Sequence, residues 1–243
     1  ANAQQVTYTF TSAGATGKNG PTQAQVNSAY LATNLNGSVT SSSGIQQFTV
    51  PVAGLYQIDA WGAQGGNIAG VGTVVATAGG LGARMIGTFN FSVGTVLKIV
   101  VGQQGLGGVS GACGGGGGSY VATLVGNTPL IVAGGGSGCA NTGVPGNSAG
   151  TASVGNPGGN CASTGATGFG GGSAVSCGNG AGGAGGFFGN GDNTGSWGAQ
   201  FGYGFVNGSS GGTSGSGARD GGFGGGAGTH QNNTGGGAGG GYT

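Results

Sequence analysis

The glycine-rich second half of the chain, residues 113–243, limits the possible folds more than any other feature. Glycine makes up 71 of the 243 residues, with runs at 114–118, 134–136, 170–172, 224–226 and 239–241. Such a tract is usually a flexible linker, but only 3% of the residues are charged, which is too few to keep a coil solvated. Large aromatic residues also interrupt the tract: Phe169, Phe187, Phe188, Trp197, Phe201, Tyr203, Phe205 and Phe223. We therefore expect it to be ordered.

Part of this half carries glycine with a period of three. Between residues 180 and 190 one row holds glycines 180, 183, 186 and 189, and the third row carries Ala181, Ala184, Phe187 and Asn190. Because glycine disfavours helices and strands, this period predicts polyglycine II helices, which have three residues per turn and no internal hydrogen bonds. Such helices must bond to one another, so we expect a bundle. Collagen is excluded, since its strict repeat and proline content are absent.

Charge and hydropathy exclude several classes of function. The net charge is +1 and no basic patch occurs, so we expect no nucleic acid partner. No apolar run reaches the roughly 18 residues of a transmembrane helix, and we expect no membrane insertion. A chain with so little charge lacks electrostatic protection against self-association, which suits a protein that polymerises.

The ionisable residues offer little basis for catalysis. There is no glutamate, and the three aspartates, Asp59, Asp192 and Asp220, leave paired-carboxylate chemistry few candidates. The order Ser216, Asp220, His230 suggests a triad, but we interpret His230 as a surface histidine between glycine helices. We predict no enzymatic activity, no cofactor and no metal site.

Four cysteines, Cys113, Cys139, Cys161 and Cys177, predict two disulfides. No C-x-x-C pair occurs and the one histidine is distant in sequence, so structural zinc is a weak alternative. Four cysteines allow three pairings, among which the sequence does not choose. Cross-links suit a glycine-rich chain because they lower the entropy of the unfolded state. Disulfides also indicate an oxidising environment, so we expect a secreted, extracellular protein.

The first 133 residues carry strand signals at the spacing of a β-sandwich. Alternating residues predict strands at 6–10, 45–50 and 55–61, the last with Leu55, Gln57, Asp59 and Trp61 on one face. Two hairpins are predicted, one from 83–91 with 95–101 and one from 119–125 with 129–133. A short helix is predicted to begin at Pro21, 36–44 to be a Ser/Gly loop, and 62–82 a glycine-bearing excursion. Beyond residue 133 only 201–206 is a candidate strand.

Several strings, in order along nearly the whole chain, resemble one known family. They are G-P-T-Q-A-Q at 20–25, W-G-A-Q-G-G at 61–66, V-G-Q-Q-G at 101–105, P-L-I-V-A-G-G-G at 129–136 and G-G-F-G-G-G at 221–226. The chain is similar to the glycine-rich extracellular domain of the anaplastic lymphoma kinase and leukocyte tyrosine kinase receptors. The resemblance implies an all-β fold with polyglycine II: a tumour-necrosis-factor-like β-jelly roll at 1–133 and a polyglycine II helix bundle packed on it at 134–243.

Two departures from the family pattern lead to the main functional hypothesis. The receptor domains have cysteines where this chain has Ala13 and Val26, and they continue into further β-structure after the last glycine helix. The resemblance therefore implies a free-standing secreted relative whose sheet has an unpaired edge. Val6, Tyr8 and Phe10 of a neighbour could fill that edge by β-augmentation, and such head-to-tail exchange builds open filaments. We thus expect a secreted structural subunit that polymerises with itself into an extracellular fibre or matrix.

The alternative is a monomeric or small-oligomer binding or adhesion module that recognises a glycan or a cell-surface protein. Its candidate site is an aromatic patch of Trp197, Phe201, Tyr203 and Phe205. We favour a different interpretation of these side chains, in which they pack the glycine bundle against the jelly roll or the next subunit. Glycosylation sequons occur at Asn36, Asn90, Asn207 and Asn232.

Overall fold

The structure is a computed structural model of the chain, and it describes residues 5–140, 143–151, 180–192, 198–216, 219–230 and 235–242. The elements in these ranges are α1 (Gln23–Tyr30), β1 (Val39–Ser42), β2 (Ile45–Thr49), β3 (Gly54–Trp61), β4 (Arg84–Phe91), β5 (Val96–Val100), β6 (Ser119–Thr123), β7 (Pro129–Ala133) and one 3-10 turn (Phe205–Asn207). Strands dominate the regular structure, which confirms the all-β class.

The strands form a five-stranded antiparallel sheet and a separate two-stranded ribbon. The sheet has the order β1-β2-β5-β6-β7, and the ribbon consists of β3 and β4. The predicted hairpin of 119–125 with 129–133 is confirmed as β6–β7. The predicted hairpin of 83–91 with 95–101 is wrong, because β4 pairs with β3 and β5 pairs with β2 and β6. The turn between β4 and β5 therefore crosses from one sheet to the other.

Two further local predictions differ from the structure. The predicted loop at 36–44 contains β1, which pairs with β2 around Ser43 and Gly44. Both turn residues have positive φ, 50° and 83°, as the tightest hairpin turns require, so serine-rich composition concealed a strand. Conversely, residues 6–10 and 201–206 are not strands; neither segment forms a ladder with any described strand.

Helix α1 lies in the predicted region but begins at Gln23, two residues after the predicted start at Pro21, because Thr22 is its N-cap. The Thr22 side chain accepts from the Gln25 amide at 3.3 Å, and the Gln25 side chain accepts from the Thr22 amide at 2.9 Å. This reciprocal capping box satisfies two amides that have no partner within the helix. The apolar side of α1, Val26 and Tyr30, is buried.

Side chains pack on both faces of the five-stranded sheet. On the inner face, one cluster joins α1, the sheet and the ribbon, and its members include Val26, Tyr30, Phe48, Leu97, Ile99 and Val121. On the outer face, Val100 and Tyr120 pack against Phe187, Phe205 and Phe223 from the glycine-rich half. The sheet is therefore the middle layer of the described structure.

Backbone hydrogen bonds hold together the glycine-rich segments, and residues 113–118 are surrounded by three of these segments. We call the described parts of 62–83, 102–118, 134–151 and 180–242 the glycine network. Amides of residues 113–118 donate in rotation to backbone carbonyls of three neighbouring segments, at 2.8–2.9 Å. Cys113 and Gly116 donate to Cys139 and Gly136, and Gly114 and Gly117 donate to Leu106 and Gln103. Gly115 and Gly118 donate to Ala227 and Gly224. The rotation thus repeats every three residues. The bonds also cross the boundary predicted at residue 133, so the two parts share one network.

Candidate functional site

The N-terminal segment, residues 5–12, packs on the inner face of the five-stranded sheet. The rings of Tyr8 and Phe10 lie 5.0 Å and 5.5 Å from that of Phe48, centroid to centroid. Phe10 also meets Tyr30 of α1 at 6.3 Å, whereas Val6 is 59% exposed. Two of the three residues predicted to contact another subunit thus pack into their own core here. Their role between subunits stays a prediction.

Backbone groups of Thr11 anchor the end of this segment. The Thr11 amide donates to the Tyr30 hydroxyl at 2.9 Å, and its carbonyl accepts from the Gln46 side-chain amide at 2.8 Å. The Tyr30 hydroxyl in turn donates to the side-chain oxygen (Oε1) of Gln46 at 2.7 Å. Gln46 is fully buried, which its polarity did not predict. It bonds the segment to the sheet where no strand ladder does.

A tight turn follows the anchored segment. Ala13 and Gly14 both have positive φ, 49° and 77°, and the Ala15 amide donates to the Ser12 carbonyl at 2.9 Å. Positive φ is strained for a residue with a β-carbon. Ala13 therefore holds a strained turn at the junction between the segment and the rest of the chain.

Sheet edges differ in how they are protected. The outer edge of β1 is covered by the Gln23 side chain, which accepts from the Ser41 amide at 2.6 Å and donates to the Val39 carbonyl at 3.1 Å. In the ribbon, β3 and β4 pair only with each other among the described strands. The other edge of each ribbon strand therefore has no ladder partner among the described residues, and such an edge can accept another strand.

The predicted aromatic patch is divided by the structure. Phe205 is fully buried and stacks on Phe187 at 4.7 Å, so it is not a surface residue; it packs the glycine network against the sheet. Phe201 and Tyr203 lie together at 4.9 Å, with Tyr203 38% exposed. Trp197 lies outside the described residues. Packing thus accounts for Phe205, and a ligand role for the others stays untested.

A second polar and aromatic cluster lies on the outer face of the ribbon. Asp59 accepts from Arg84 through both carboxylate oxygens, at 3.0 Å and 2.7 Å, and from the Trp61 indole at 2.7 Å. The hydrogen bond from Arg84 is the main reason that the pKa of Asp59 lies below its usual value, and Asp59 raises the pKa of Arg84 in return. The alternation along β3 predicted that Asp59 and Trp61 share a face. Arg84 was missed because its place depends on the β3–β4 register.

One predicted disulfide is present. Cys113 and Cys139 are bonded, and both are fully buried beside Ile68. Cys161 and Cys177 lie outside the described residues. The bridge joins two adjacent segments of the glycine network, whose backbones also bond through the Cys113 amide and the Cys139 carbonyl at 2.9 Å.

His230 is not the surface residue that the sequence suggested. Its side chain is buried and its backbone bridges to Ser216. The Asp220 carboxylate instead accepts from the Ser214 amide at 2.6 Å and pairs with Lys18 at 3.4 Å. The described ranges contain no group of three or more metal-ligating side chains.

Comparison with known proteins gives a limited result. No family model matches the chain. A stretch of 101 residues, 40% of the chain, is 35% identical to the leukocyte tyrosine kinase receptor of Mus musculus. That stretch corresponds to 11% of the receptor's length, so the similarity concerns a small part of the receptor. In the described part of the chain, no helix combines the length and apolarity that a membrane span needs. Similarity to a receptor and a disulfide are both compatible with an extracellular location.

Proposed function

We propose that this chain is a secreted structural subunit that assembles with copies of itself into an extracellular fibre by exchange of its N-terminal segment. The observation that carries the proposal is the position of residues 5–12. They cover the inner face of the sheet beside the ribbon, yet they form no ladder with it. The space for a further strand and a segment able to supply one therefore occur in the same chain.

The glycine network is the rigid part of the proposed subunit. We interpret its segments as polyglycine II helices, and the three-residue rotation of donors along residues 113–118 supports this. A helix with three residues per turn directs successive amides to neighbours one third of a turn apart. Glycine permits that approach: a β-carbon on Gly115, Gly116 or Gly117 would overlap a backbone carbonyl of a neighbouring segment.

The sheet and the ribbon are interpreted as an incomplete jelly roll. A jelly roll has eight strands in two sheets, whereas here five strands face a ribbon of two. Strand addition from a neighbour would extend the smaller sheet. The antiparallel pairing and the shared inner core support this interpretation.

Exchange preserves the contacts that hold the segment within one chain. Tyr8 and Phe10 would pack on Phe48 of the neighbour, and the Thr11 amide and carbonyl would find the same partners there. Because donor and acceptor surfaces differ, the contact is head-to-tail and need not close, which produces filaments.

Cysteine trapping tests the exchange directly. The Asn34 side chain donates to the Thr7 carbonyl at 2.9 Å and both residues are exposed, so neither substitution disturbs the core. Thr7→Cys and Asn34→Cys proteins are mixed before assembly and then oxidised. We expect covalent heterodimers on a denaturing gel and filaments in electron micrographs of the same sample.

Two controls interpret the result. Thr7→Cys mixed with Val125→Cys, which is 86% exposed in another loop, should give only background cross-linking. The double variant with Thr7→Cys and Asn34→Cys in one chain, kept dilute, should cross-link internally and report their proximity. Filaments without heterodimers would overturn the exchange, and particles of monomer size at every concentration would overturn the fibre.

A further inference from the structure

The outer face of the ribbon presents an exposed tryptophan in a fixed position. Trp61 is 62% exposed, which is unusual because tryptophan side chains generally bury a large apolar area. Its cross-strand partner is Arg84, whose guanidinium carbon lies 5.1 Å from the centroid of the indole ring. The exposed fraction leaves much of the ring uncovered.

Three hydrogen bonds hold this cluster rigid without any partner. The indole N–H donates to Asp59 at 2.7 Å, and Arg84 donates to the same carboxylate through two nitrogens. Both carboxylate oxygens are thereby fixed, as is the plane of the guanidinium. A ligand that binds here would meet side chains that are already ordered, so it loses less entropy on binding.

The chemistry of the cluster fits an uncharged sugar. Asp59 and Arg84 neutralise each other, so neither an anion nor a cation gains a free counter-charge. The indole offers an apolar plane for the C–H face of a pyranose ring. Beside it, spare lone pairs of the carboxylate and donors of the guanidinium can bond to hydroxyl groups.

The rest of the face is exposed and mostly polar. Gln57 and Thr88 are cross-strand partners next to the cluster and, like Leu55 beyond them, are exposed. From Trp61 to Leu55 the strand runs about 20 Å at 3.3 Å per residue, enough for several sugar rings in line. On β4, Ile86 is 52% exposed and lies between Arg84 and Thr88, opposite Asp59. The apolar residues of the face therefore alternate with polar ones, unlike a continuous hydrophobic interface.

We infer that the outer face of the ribbon binds an unbranched, neutral glycan with equatorial linkages, whose extended flat chain lies along β3 with one ring stacked on Trp61. A glycan with axial linkages coils and would touch the row of residues along β3 at isolated points only. The site is distinct from the ribbon edges and from residues 5–12, so it does not depend on assembly.

Fluorescence titration tests this inference. The chain has two tryptophans, and a Trp197→Phe protein leaves Trp61 as the single indole reporter. The protein is made in a host that does not glycosylate, because the sequon at Asn90 lies on the same face. We expect cellohexaose to shift the emission with saturation, and maltohexaose, which has the same number of glucose units but coils, to have little effect.

Calorimetry with variants assigns the binding to the cluster. In the otherwise native chain, Trp61→Ala should weaken cellohexaose binding by about tenfold or more, and Trp61→Phe should retain part of it. Val125→Ala, which also trims an exposed apolar side chain, should bind as the native chain does. Equal binding of both sugars, native affinity in Trp61→Ala with an unchanged melting temperature, or no response to millimolar cellohexaose would each overturn the inference.

Discussion

The backbone carbonyl of Phe223 occupies the space that a β-carbon on Gly117 would need. The Gly117 amide meanwhile donates to the Gln103 carbonyl at 2.9 Å. The residue is thus fixed between two other segments of the glycine network. A neighbouring backbone leaves no room for a β-carbon at Gly117. Backbone conformation is not the reason for the glycine, since its φ is not positive.

Alanine at residue 117 should destabilise the protein, whereas alanine at residue 134 should not. The overlap with Phe223 at 117 forces two segments apart, at a cost of about 1–3 kcal/mol. At Gly134 the nearest atom to an added β-carbon is the Ala149 methyl, 3.6 Å away, so Gly134→Ala should be neutral or stabilise by about 0.4–1 kcal/mol. Denaturant unfolding of the two variants measures both. Equal effects would contradict backbone crowding as the reason for the glycine runs.

Loss of the Cys113–Cys139 bridge should lower the free energy of unfolding. The bridged residues are 26 apart in sequence, for which chain entropy gives about 3.5 kcal/mol. The Cys113→Ala/Cys139→Ala protein, compared with the native chain by denaturant unfolding, measures this loss. Cys161→Ala/Cys177→Ala is the matched control, which leaves the described bridge intact. A double variant of 113 and 139 as stable as the native protein would show that the network holds these segments unaided.

The protein should lose stability at alkaline pH because of Tyr120. Its hydroxyl is fully buried and donates to the carbonyls of Gly241 at 3.0 Å and Gly224 at 3.2 Å, and burial raises the pKa of Tyr120 well above its ordinary value. Above about pH 10 the unfolded chain releases this proton and the folded chain keeps it. The free energy of unfolding should then fall by about 1.4 kcal/mol per pH unit.

A Tyr120→Phe variant checks the assignment. It should lose about 1 kcal/mol at neutral pH with the hydroxyl bonds, and its unfolding free energy should depend less on pH above about 10. Denaturant midpoints across this range, followed with phenolate absorbance, give the comparison. The same slope in both proteins would show that Tyr120 is not the group responsible.

Glycine should stabilise the protein at residue 209. Ser209 is fully buried with a φ of 59°, and its hydroxyl has no hydrogen-bond partner among the described residues. Ser209→Gly relieves the backbone conformation and removes a buried unsatisfied hydroxyl, which costs about 1–3 kcal/mol. Ser43→Gly is the control, since Ser43 also has positive φ, 50°, but is exposed. We expect Ser209→Gly to raise the melting temperature more than Ser43→Gly; the reverse order would refute the cost of the buried hydroxyl.

Local patterns predicted the strands whose side chains alternate or whose turns are marked. The alternation from Leu55 to Trp61 placed Asp59 and Trp61 on one face, and the structure adds that this face is the exposed one. Residues 6–10 also alternate, but their backbone has no strand ladder, because strand formation depends on a partner that the sequence of one segment cannot specify. β1 was missed for the converse reason: its serines form a strand only because β2 lies beside them.

The sequence by itself determined that glycine must serve close backbone packing, that charge is nearly absent, and that residues 180–190 repeat in threes. Those properties follow from residue type and spacing, which act locally. Only the tertiary structure decided that β4 pairs with β3 instead of β5, that Phe205 is buried and that Arg84 contacts Asp59 and Trp61. Each of these depends on which distant segments come together, and that choice is made by the burial and pairing of the whole chain.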